Sequence, residues 1–213
     1  MSKDPGVFIG EQYAECLKVF GDTYQGVHWP SAQDVPIRYQ IMSEVVRSNH
    51  NENVSLLDFG CGAGHYFEYL QKQERPWLNY SGLDISKDFI ELCQKKFPQQ
   101  TFYHLNINES DGELPLFDYV VMNGVFTVKW QLGHDEMFAH VQKTIKNIFE
   151  KTRAGLAVNF LSTHVDWQRS DLFHLEFDKL AAFIKEELSR NFVIRQDYGL
   201  YEYTAYIYRS PSV

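Results

Sequence analysis

The chain has 213 residues and a formal net charge of −8 at pH 7, a size that fits one domain or one domain with a small appendage. Hydrophobic residues make up 44% and aromatic residues 15% of the chain, which indicates a well-filled core and excludes a disordered protein. The acidic balance argues against a nucleic acid or an anionic membrane as a partner, because their phosphate groups would be repelled.

Three cysteines, Cys16, Cys61 and Cys93, are widely spaced and form neither a disulfide framework nor a zinc-binding CxxC pair. The N-terminus lacks the apolar stretch of a signal peptide, and no segment approaches the roughly 18 uninterrupted apolar residues of a membrane span. We therefore expect a cytoplasmic protein with reduced thiols, without a membrane segment and without a metal site.

The first 50 residues are predicted to be helical and to lie outside the main sheet. Apolar residues share one face of a first helix, namely Ile9, Tyr13, Cys16, Leu17 and Phe20. After a loop rich in glycine, the run Ser31-Ala-Gln-Asp34 resembles a capping box and predicts a second helix to about residue 48, with Pro36 in its first turn. We expect residues 1–50 to form a lid that covers the substrate.

From residue 54 onward, the hydrophobic period alternates between strand and helix. Five strands are predicted at residues 54–59, 80–84, 101–105, 117–122 and 155–161. Two further strand-like runs, 191–198 and 201–209, are separated only by Gly199-Leu200, which is too short for a parallel crossover. The pattern predicts an α/β three-layer sandwich with a seven-stranded, mostly parallel sheet, a C-terminal antiparallel hairpin and an N-terminal helical lid.

The most informative motif is Leu57-Asp-Phe-Gly-Cys-Gly-Ala-Gly64, where the first strand turns into a helix. Its three glycines permit unusual backbone angles and close approach of a ligand, and the N–H groups of the helix start can bind negative groups. A glycine turn without a ligand is the alternative. A dinucleotide fingerprint would need glycine at position 65, where this chain has His65, so the motif disfavours a nicotinamide-dependent oxidoreductase.

The pattern Asp-x-Gly-x-Gly-x-Gly resembles the cofactor loop of the class I S-adenosylmethionine-dependent methyltransferases, a family with a Rossmann-like fold. The resemblance implies that residues 51–213 form the S-adenosylmethionine-binding domain, within one structural domain overall, and that S-adenosylhomocysteine is the product. It also implies which residues surround the methionine part of the cofactor: Asp58, Gly60, Cys61 and Gly62, with Ala63 beside them.

Two further strand ends fit the same family. Asp84 ends the second strand, where a carboxylate can accept hydrogen bonds from both ribose hydroxyls, and the resemblance places Ile85 on the adenine. The alternative is that Asp84 caps the next helix, although Ser86 is the better cap. After the third strand, Asn106 and Ile107 correspond to the adenine contacts, with Asn108 as a competing register and turn chemistry as the alternative.

The fourth strand ends in Met122-Asn-Gly-Val-Phe126 at the expected switch point of the sheet. We expect Asn123 and Gly124 to contact the methionine part, and Val125 and Phe126 to border the acceptor. Family members that methylate exocyclic amines of DNA or side-chain amides carry a proline pair here. Its absence from this chain argues against nucleobase methylation.

In the predicted lid, Trp29 is a candidate for a cation–π contact with the sulfonium, and Arg38 for an ion pair with the cofactor carboxylate. The alternatives are that Trp29 packs the loop and that Arg38 faces solvent. If the reaction uses a base, the candidates are Tyr24, His28 and His164. His164 and His174 are otherwise expected in a solvated loop, and His134 and His140 on the surface.

The sequence therefore predicts methyl transfer to a small-molecule acceptor, by a monomer or homodimer without nucleic acid or membrane partners. A protein side chain is the alternative acceptor. A regulatory protein that binds S-adenosylmethionine without catalysis is the alternative from another class.

Overall fold

The computed structural model describes residues 4–47, 53–73, 77–109 and 114–211. Within them, six helices and eight strands follow one another. The helices are α1 (Pro5–Phe20), α2 (Val35–Ser43), α3 (His65–Lys72), α4 (Lys87–Lys96), α5 (His134–Glu150) and α6 (Phe177–Glu187). The strands are β1 (Val54–Phe59), β2 (Leu78–Asp84), β3 (Thr101–His104), β4 (Phe117–Met122), β5 (Thr152–Ser162), β6 (His174–Leu175), β7 (Asn191–Arg195) and β8 (Glu202–Tyr208).

All eight strands belong to one sheet. Seven of them follow the order β3-β2-β1-β4-β5-β8-β7, and β6 pairs with β5 outside this order. The first five strands pair in parallel, and β8 pairs antiparallel with both β5 and β7. This confirms the predicted α/β architecture with its terminal hairpin. The expected count of seven strands omits β6, which pairs with the end of β5 over only two residues and is too short to give a sequence pattern.

The sheet is buried on both faces, which makes the domain three layers thick. Strand residues that point to one face pack with α1, α5 and α6, and those that point to the other face pack with α2, α3 and α4. Central strands of this kind are apolar at consecutive positions because both faces are covered. Leu56 and Leu57 of β1 illustrate this, since they are neighbours in sequence, are both fully buried and belong to different clusters.

The N-terminal helices differ from the prediction in two respects. The capping box at residues 31–34 does not form, because α2 begins only at Val35 and no side chain caps it, although Pro36 does occupy the first turn. Phe20, predicted on the buried face of α1, is 47% exposed, because the helix runs past the body of the protein at this end.

Helix α2 packs into the core and does not lie loosely over the sheet. Tyr39, Ile41 and Met42 are buried in the second cluster with α3. In the described part of the chain, none of the helices is both long and apolar enough to cross a membrane.

Candidate functional site

A cavity of about 530 Å³ lies at the carboxyl ends of the parallel strands. It occupies the point where the strand order reverses between β1 and β4, the position at which open α/β sheets bind ligands. Helix α1 and the segment 27–30 border it on the outer side. All the residues predicted to bind the cofactor line this one cavity: Trp29, Arg38, Asp58, Gly60, Cys61, Gly62, Asp84, Ile85, Asn106, Ile107, Asn123 and Gly124.

The glycine turn joins β1 to α3 through three residues with positive φ. Gly60, Gly62 and Gly64 have φ values of 74°, 51° and 75°, which side chains with a Cβ rarely adopt. The N–H groups of Gly60 and Cys61 donate to the carbonyl of Leu83, at 2.7 and 3.0 Å. These bonds tie the turn to the end of β2, so the main chain of the turn and the Asp84 side chain lie together.

Asp84 is a buried carboxylate held by main-chain donors. One oxygen accepts from Gly62 N at 3.0 Å and the other from Ser86 N at 2.8 Å. Burial raises its pKa, and these N–H groups oppose the shift. Asp84 therefore supports the start of α4, while the Ser86 side chain makes no capping bond. Each carboxylate oxygen still has a lone pair that can accept from a ligand hydroxyl.

Asp58 is a second buried carboxylate in the cavity wall. The Tyr80 hydroxyl donates to it at 2.9 Å. Burial raises its pKa to about 7, opposed by the Tyr80 hydrogen bond and reinforced by the nearby charge of Asp84. Near neutral pH the Asp58 carboxyl group is therefore a mixture of its protonated and ionised forms, and a cation bound beside it would favour the ionised form.

The two asparagines after β3 have different hydrogen bonds. The Asn108 amide is held at both ends, donating to Thr144 Oγ1 at 2.9 Å and accepting from Asn147 at 3.0 Å. Asn106 accepts from the N–H of Asn108 at 3.1 Å, whereas its Nδ2 is buried without a partner. The competing register at Asn108 is thus the less suitable one, since the nitrogen of Asn106 is the one that lacks a partner.

Arg38 is buried and does not face solvent, contrary to the alternative considered from sequence. Its Nε lies 3.1 Å from the Glu202 carboxylate, and its guanidinium carbon lies 4.5 Å from the ring centroid of Trp29. Nη1 of Arg38 is buried with no hydrogen-bond partner. Glu202 was not predicted as a site residue, although a glutamate beside the alternating tyrosines of β8 is a signal that sequence analysis could use.

The loop after β4 is held in place by a buried asparagine of β5. Asn159 accepts from the N–H of Gly124 at 2.7 Å. Gly124 has a φ of 77°, and a Cβ on it would lie 2.5 Å from the Trp29 indole, so the ring rests directly on the glycine. The side-chain oxygen of the adjacent Asn123 is buried without a partner.

Of the three candidate bases, only His28 lines the cavity. The His164 ring contacts Phe177, with centroids 5.0 Å apart, and the carbonyl of Tyr24 accepts from the N–H of Trp29. Neither His164 nor Tyr24 borders the cavity.

Two other histidines are more buried than predicted. His140 was expected on the surface, yet it borders the cavity because α5 turns it toward α1, where it lies against Gly6. His174, expected in a solvated loop, is buried on β6, and its Nδ1 lies 2.7 Å from the carbonyl of Ser162. Among the described residues, no three His, Cys, Asp or Glu side chains are grouped so that they could hold a metal ion.

Comparison with known proteins identifies a methyltransferase domain. Residues 57–155 match a family described as “Methyltransferase domain”. The methyltransferase candidate Rv1506c of Mycobacterium tuberculosis is 28% identical over 159 residues, covering 73% of this chain and 93% of that protein. The chain is therefore identified as a methyltransferase that is similar to the class I S-adenosylmethionine-dependent enzymes. A dTDP-amino-sugar N,N-dimethyltransferase of Streptomyces venezuelae is 28% identical over 82 residues, covering 38% of this methyltransferase and 33% of that enzyme.

Solved structures share the fold over nearly the whole chain. Magnesium protoporphyrin IX methyltransferase of Synechocystis, solved with bound S-adenosylmethionine, superposes with a TM-score of 0.66 at 14% identity, covering 98% of this methyltransferase and 99% of that chain. A methyltransferase of Leishmania major gives a TM-score of 0.67 at 12% identity, covering 93% and 82% of the two chains. At these identities, the superpositions show the shared architecture.

Proposed function

We propose that this methyltransferase binds S-adenosylmethionine in the cavity described above and transfers its methyl group to a small-molecule acceptor. The observation that carries the proposal is a set of three buried polar atoms without partners, Nη1 of Arg38, Nδ2 of Asn106 and Oδ1 of Asn123. All three residues line the same cavity. Buried polar groups are nearly always hydrogen-bonded, so three orphaned atoms around one cavity indicate a ligand that supplies their partners.

The chemistry of the three atoms fits the proposed cofactor. Nη1 of Arg38 is a cationic donor suited to the cofactor carboxylate, and Oδ1 of Asn123 is an acceptor suited to its ammonium group. Nδ2 of Asn106 is a neutral donor, which suits a ring nitrogen of adenine better than the exocyclic amino group. Asp84 retains lone pairs for the ribose hydroxyls.

The protein's part in the reaction is to position the reactants and exclude water. The bound cofactor supplies a methyl group already activated by a positively charged sulfur. The chain therefore has to hold an acceptor in line with that group inside a dry pocket. Trp29, resting on Gly124, lies in the wall of the cavity and covers one residue of the predicted methionine contacts.

The shape of the cavity supports a small acceptor. Besides the residues predicted to bind the cofactor, the cavity is lined by His28, Arg169 and Tyr201, a part of the wall that an acceptor can use. Its total volume of about 530 Å³ is in the range typical of small-molecule sites. The similar Streptomyces enzyme, whose name gives an amino sugar as its substrate, is consistent with this size of acceptor.

The decisive experiment is calorimetric titration with S-adenosylmethionine, S-adenosylhomocysteine and NAD, on the wild type and on Arg38→Lys. Lysine keeps a positive charge for Glu202 but loses the forked guanidinium that can serve two carboxylates at once. We expect both methyl-cycle ligands to bind the wild type and NAD not to bind. Arg38→Lys should weaken S-adenosylhomocysteine binding about 10- to 100-fold, the effect of one lost charged hydrogen bond.

Arg153→Lys is the matched control, since Arg153 pairs with Asp118 at the surface and does not line the cavity. The affinity of this variant for S-adenosylhomocysteine should equal that of the wild type. Equal affinity of Arg38→Lys and wild type would contradict the proposed position of the carboxylate. Failure of the wild type to bind S-adenosylhomocysteine would contradict the cofactor assignment itself.

A further inference from the structure

Several aromatic rings line the cavity beside the residues predicted to bind the cofactor. We call the part of the lining formed by Tyr13, His28, Thr127, Trp167, Arg169 and Tyr201 the acceptor end. Trp167 and Tyr201 form a ring pair with centroids 6.2 Å apart, and each is 54% exposed, which is unusual for such large side chains. Flat rings at the mouth of a cavity offer stacking surface to a flat ligand.

Backbone strain is concentrated at this same end. In the described part of the chain, His28 and Trp130 are the two non-glycine residues with positive φ, at 62° and 54°. Their rings lie 5.0 Å apart, and the Tyr13 ring contacts both, at 6.0 and 6.4 Å. Such conformations persist only where the surroundings enforce them, and they cluster at functional sites. The strain indicates that the position of the His28 ring is enforced.

Most other titratable groups around the cavity are already engaged. Asp58 accepts from the Tyr80 hydroxyl beside Asp84, and the His140 ring of α5 packs against Gly6 of α1 and the ring of Phe126. The Tyr13 hydroxyl donates to the carbonyl of Gly124, and burial raises its pKa to about 12, so it is a poor base. The Asp84 carboxylate accepts from main-chain N–H groups, Glu202 accepts from Arg38, and His65 pairs with Asp22.

His28 has one ring nitrogen engaged and one available. Its Nδ1 lies 3.6 Å from the thiol of Cys16, and its Nε2 makes no hydrogen bond within the described residues. Tyr13 and Cys16 of α1, Trp130, and the pair Arg169 and Asp171 surround the ring. Burial lowers the pKa of His28; the charge of Arg169 lowers it further and that of Asp171 opposes the shift. The imidazole is therefore neutral at pH 7 and able to accept a proton.

We propose that His28 is the general base of this methyltransferase and that its acceptor is a phenol, bound among the rings of the acceptor end. The proposal rests on the proposed function. Nε2 of His28 takes the proton of the phenolic hydroxyl while the oxygen attacks the methyl carbon. The new oxygen–carbon bond forms as the carbon–sulfur bond breaks, and that electron pair goes to sulfur. The products are an aryl methyl ether and S-adenosylhomocysteine, and His28 afterwards releases the proton to solvent.

Phenols fit this site better than carboxylic acids or aliphatic alcohols. A carboxylic acid is already ionised and needs no base, Arg38 is assigned to the cofactor carboxylate, and Arg169 is paired with Asp171. A phenol is far more acidic than an aliphatic hydroxyl, so its proton is better matched to an imidazole base. The aromatic walls supply affinity for the ring itself.

The first test uses 4-nitrophenol, whose phenolate absorbs visible light, added to the protein saturated with S-adenosylhomocysteine at a pH below the pKa of the free phenol. We expect bound nitrophenol to show the phenolate band in the wild type and to lose it in His28→Asn. Asparagine is chosen because it tolerates positive φ, so the loop can keep its conformation. His164→Gln, altered outside the cavity, is the control and should behave as the wild type.

The second test measures methylation of a series of phenols of increasing acidity, with S-adenosylmethionine as methyl donor. His28→Asn should lower kcat about 10²- to 10⁴-fold with KM little changed, as expected for loss of a general base. The deficit should shrink for the more acidic phenols and at higher pH, because these phenols ionise without help. If His28 had a purely structural role, its replacement would lower kcat by the same factor for all phenols at every pH.

Several results would overturn the inference. These are methylation of benzoic acid or an aryl thiol with no reaction of any phenol, an unchanged phenolate band in His28→Asn, and an equal loss of kcat for every phenol in that variant. Calorimetry with S-adenosylhomocysteine separates this failure from failure of the proposed function. If S-adenosylhomocysteine binds and phenols do not react, the cofactor site stands and only the acceptor and base are wrong.

Discussion

Single residues in this methyltransferase show which polar groups are satisfied by the fold and which are left for a ligand. Both ends of the Asn108 amide are hydrogen-bonded within the protein, whereas the amide nitrogen of Asn106 has no partner. Asp58 and Asp84 are both buried carboxylates, but only Asp84 is held by main-chain N–H groups. Their residue types and positions were predictable from the ends of strands. Their partners depend on distances that no local pattern encodes.

Asp58→Asn tests the buried carboxylate at the residue scale. The folded-state pKa of Asp58 is about 7, above the ordinary value of 3.8, so between these pH values the folded protein binds more protons than the unfolded chain. The free energy of unfolding should therefore fall as pH rises through this window, by a few kcal/mol from this group. Asparagine keeps an acceptor for Tyr80 and has no charge, so the variant should lose this part of the decline.

The measurement is urea unfolding of both proteins at pH 5 and pH 8. The variant should gain stability relative to the wild type at the higher pH. Asp118→Asn is the control, because hydrogen bonds from Ser55 and the charge of Arg153 outweigh burial and lower the pKa of Asp118. Asp118 therefore stays ionised at both pH values, and the difference between this variant and the wild type should not change between them. A difference between Asp58→Asn and wild type that does not change with pH would show that Asp58 ionises normally in the folded protein.

At the scale of elements, two glycines let α1 closely approach α5 and the residue that follows β2. Gly6, Ile9, Gly10 and Tyr13 all line the cavity, at the spacing of one helix face. Gly10 packs against Ile85 so closely that a Cβ on it would lie 2.5 Å from Ile85 Cγ2. The prediction of the apolar face was right for Ile9 and Tyr13. It failed for Phe20, which lies at the exposed end of the helix. Hydrophobic period also cannot mark a glycine as a contact, so it did not indicate Gly6 and Gly10.

Gly10→Val tests this contact. The valine side chain should push α1 away from Ile85, lowering the affinity for S-adenosylhomocysteine about tenfold and the stability by about 1–3 kcal/mol, the usual cost of overpacking. Val19→Ala, on the same helix at a position 71% exposed, should change stability by less than about 0.5 kcal/mol. Calorimetry and thermal unfolding of the variants provide both values. Unchanged binding in Gly10→Val would separate α1 from the cofactor site.

At the scale of the whole molecule, residues 4–47 play two different roles. Helix α1 and residues 27–30 border the cavity, whereas α2 contributes Tyr39, Ile41 and Met42 to the core. Removing a simple lid would leave the domain intact. Removing α2 would expose one face of the sheet. That α1 belongs to a lid therefore stays a prediction. The predicted boundary at residue 50 does not describe α2, which packs in the core.

Hydrogen exchange of the intact protein distinguishes these roles. Amides of residues 39–43 should be protected with or without S-adenosylhomocysteine, because burial in the core holds them. Amides of residues 6–13 and 27–30 should exchange faster in the free protein and gain protection when the ligand binds. Exchange of α2 as fast as that of α1 would contradict this assignment, and so would a lack of ligand-dependent protection in α1.

The sequence by itself determined the alternation of strands and helices, the parallel sheet with its terminal hairpin, and the glycine turn, because hydrophobic period and glycine spacing are local signals. It also indicated which strand ends line the cavity, since the carboxyl ends of parallel strands meet at one edge. Only the tertiary structure decided that Arg38 pairs with Glu202, 164 positions away, and that His28 meets Trp130 and Tyr13. Such contacts arise where distant segments pack together, and their energies depend on burial and distance that a single chain pattern does not contain.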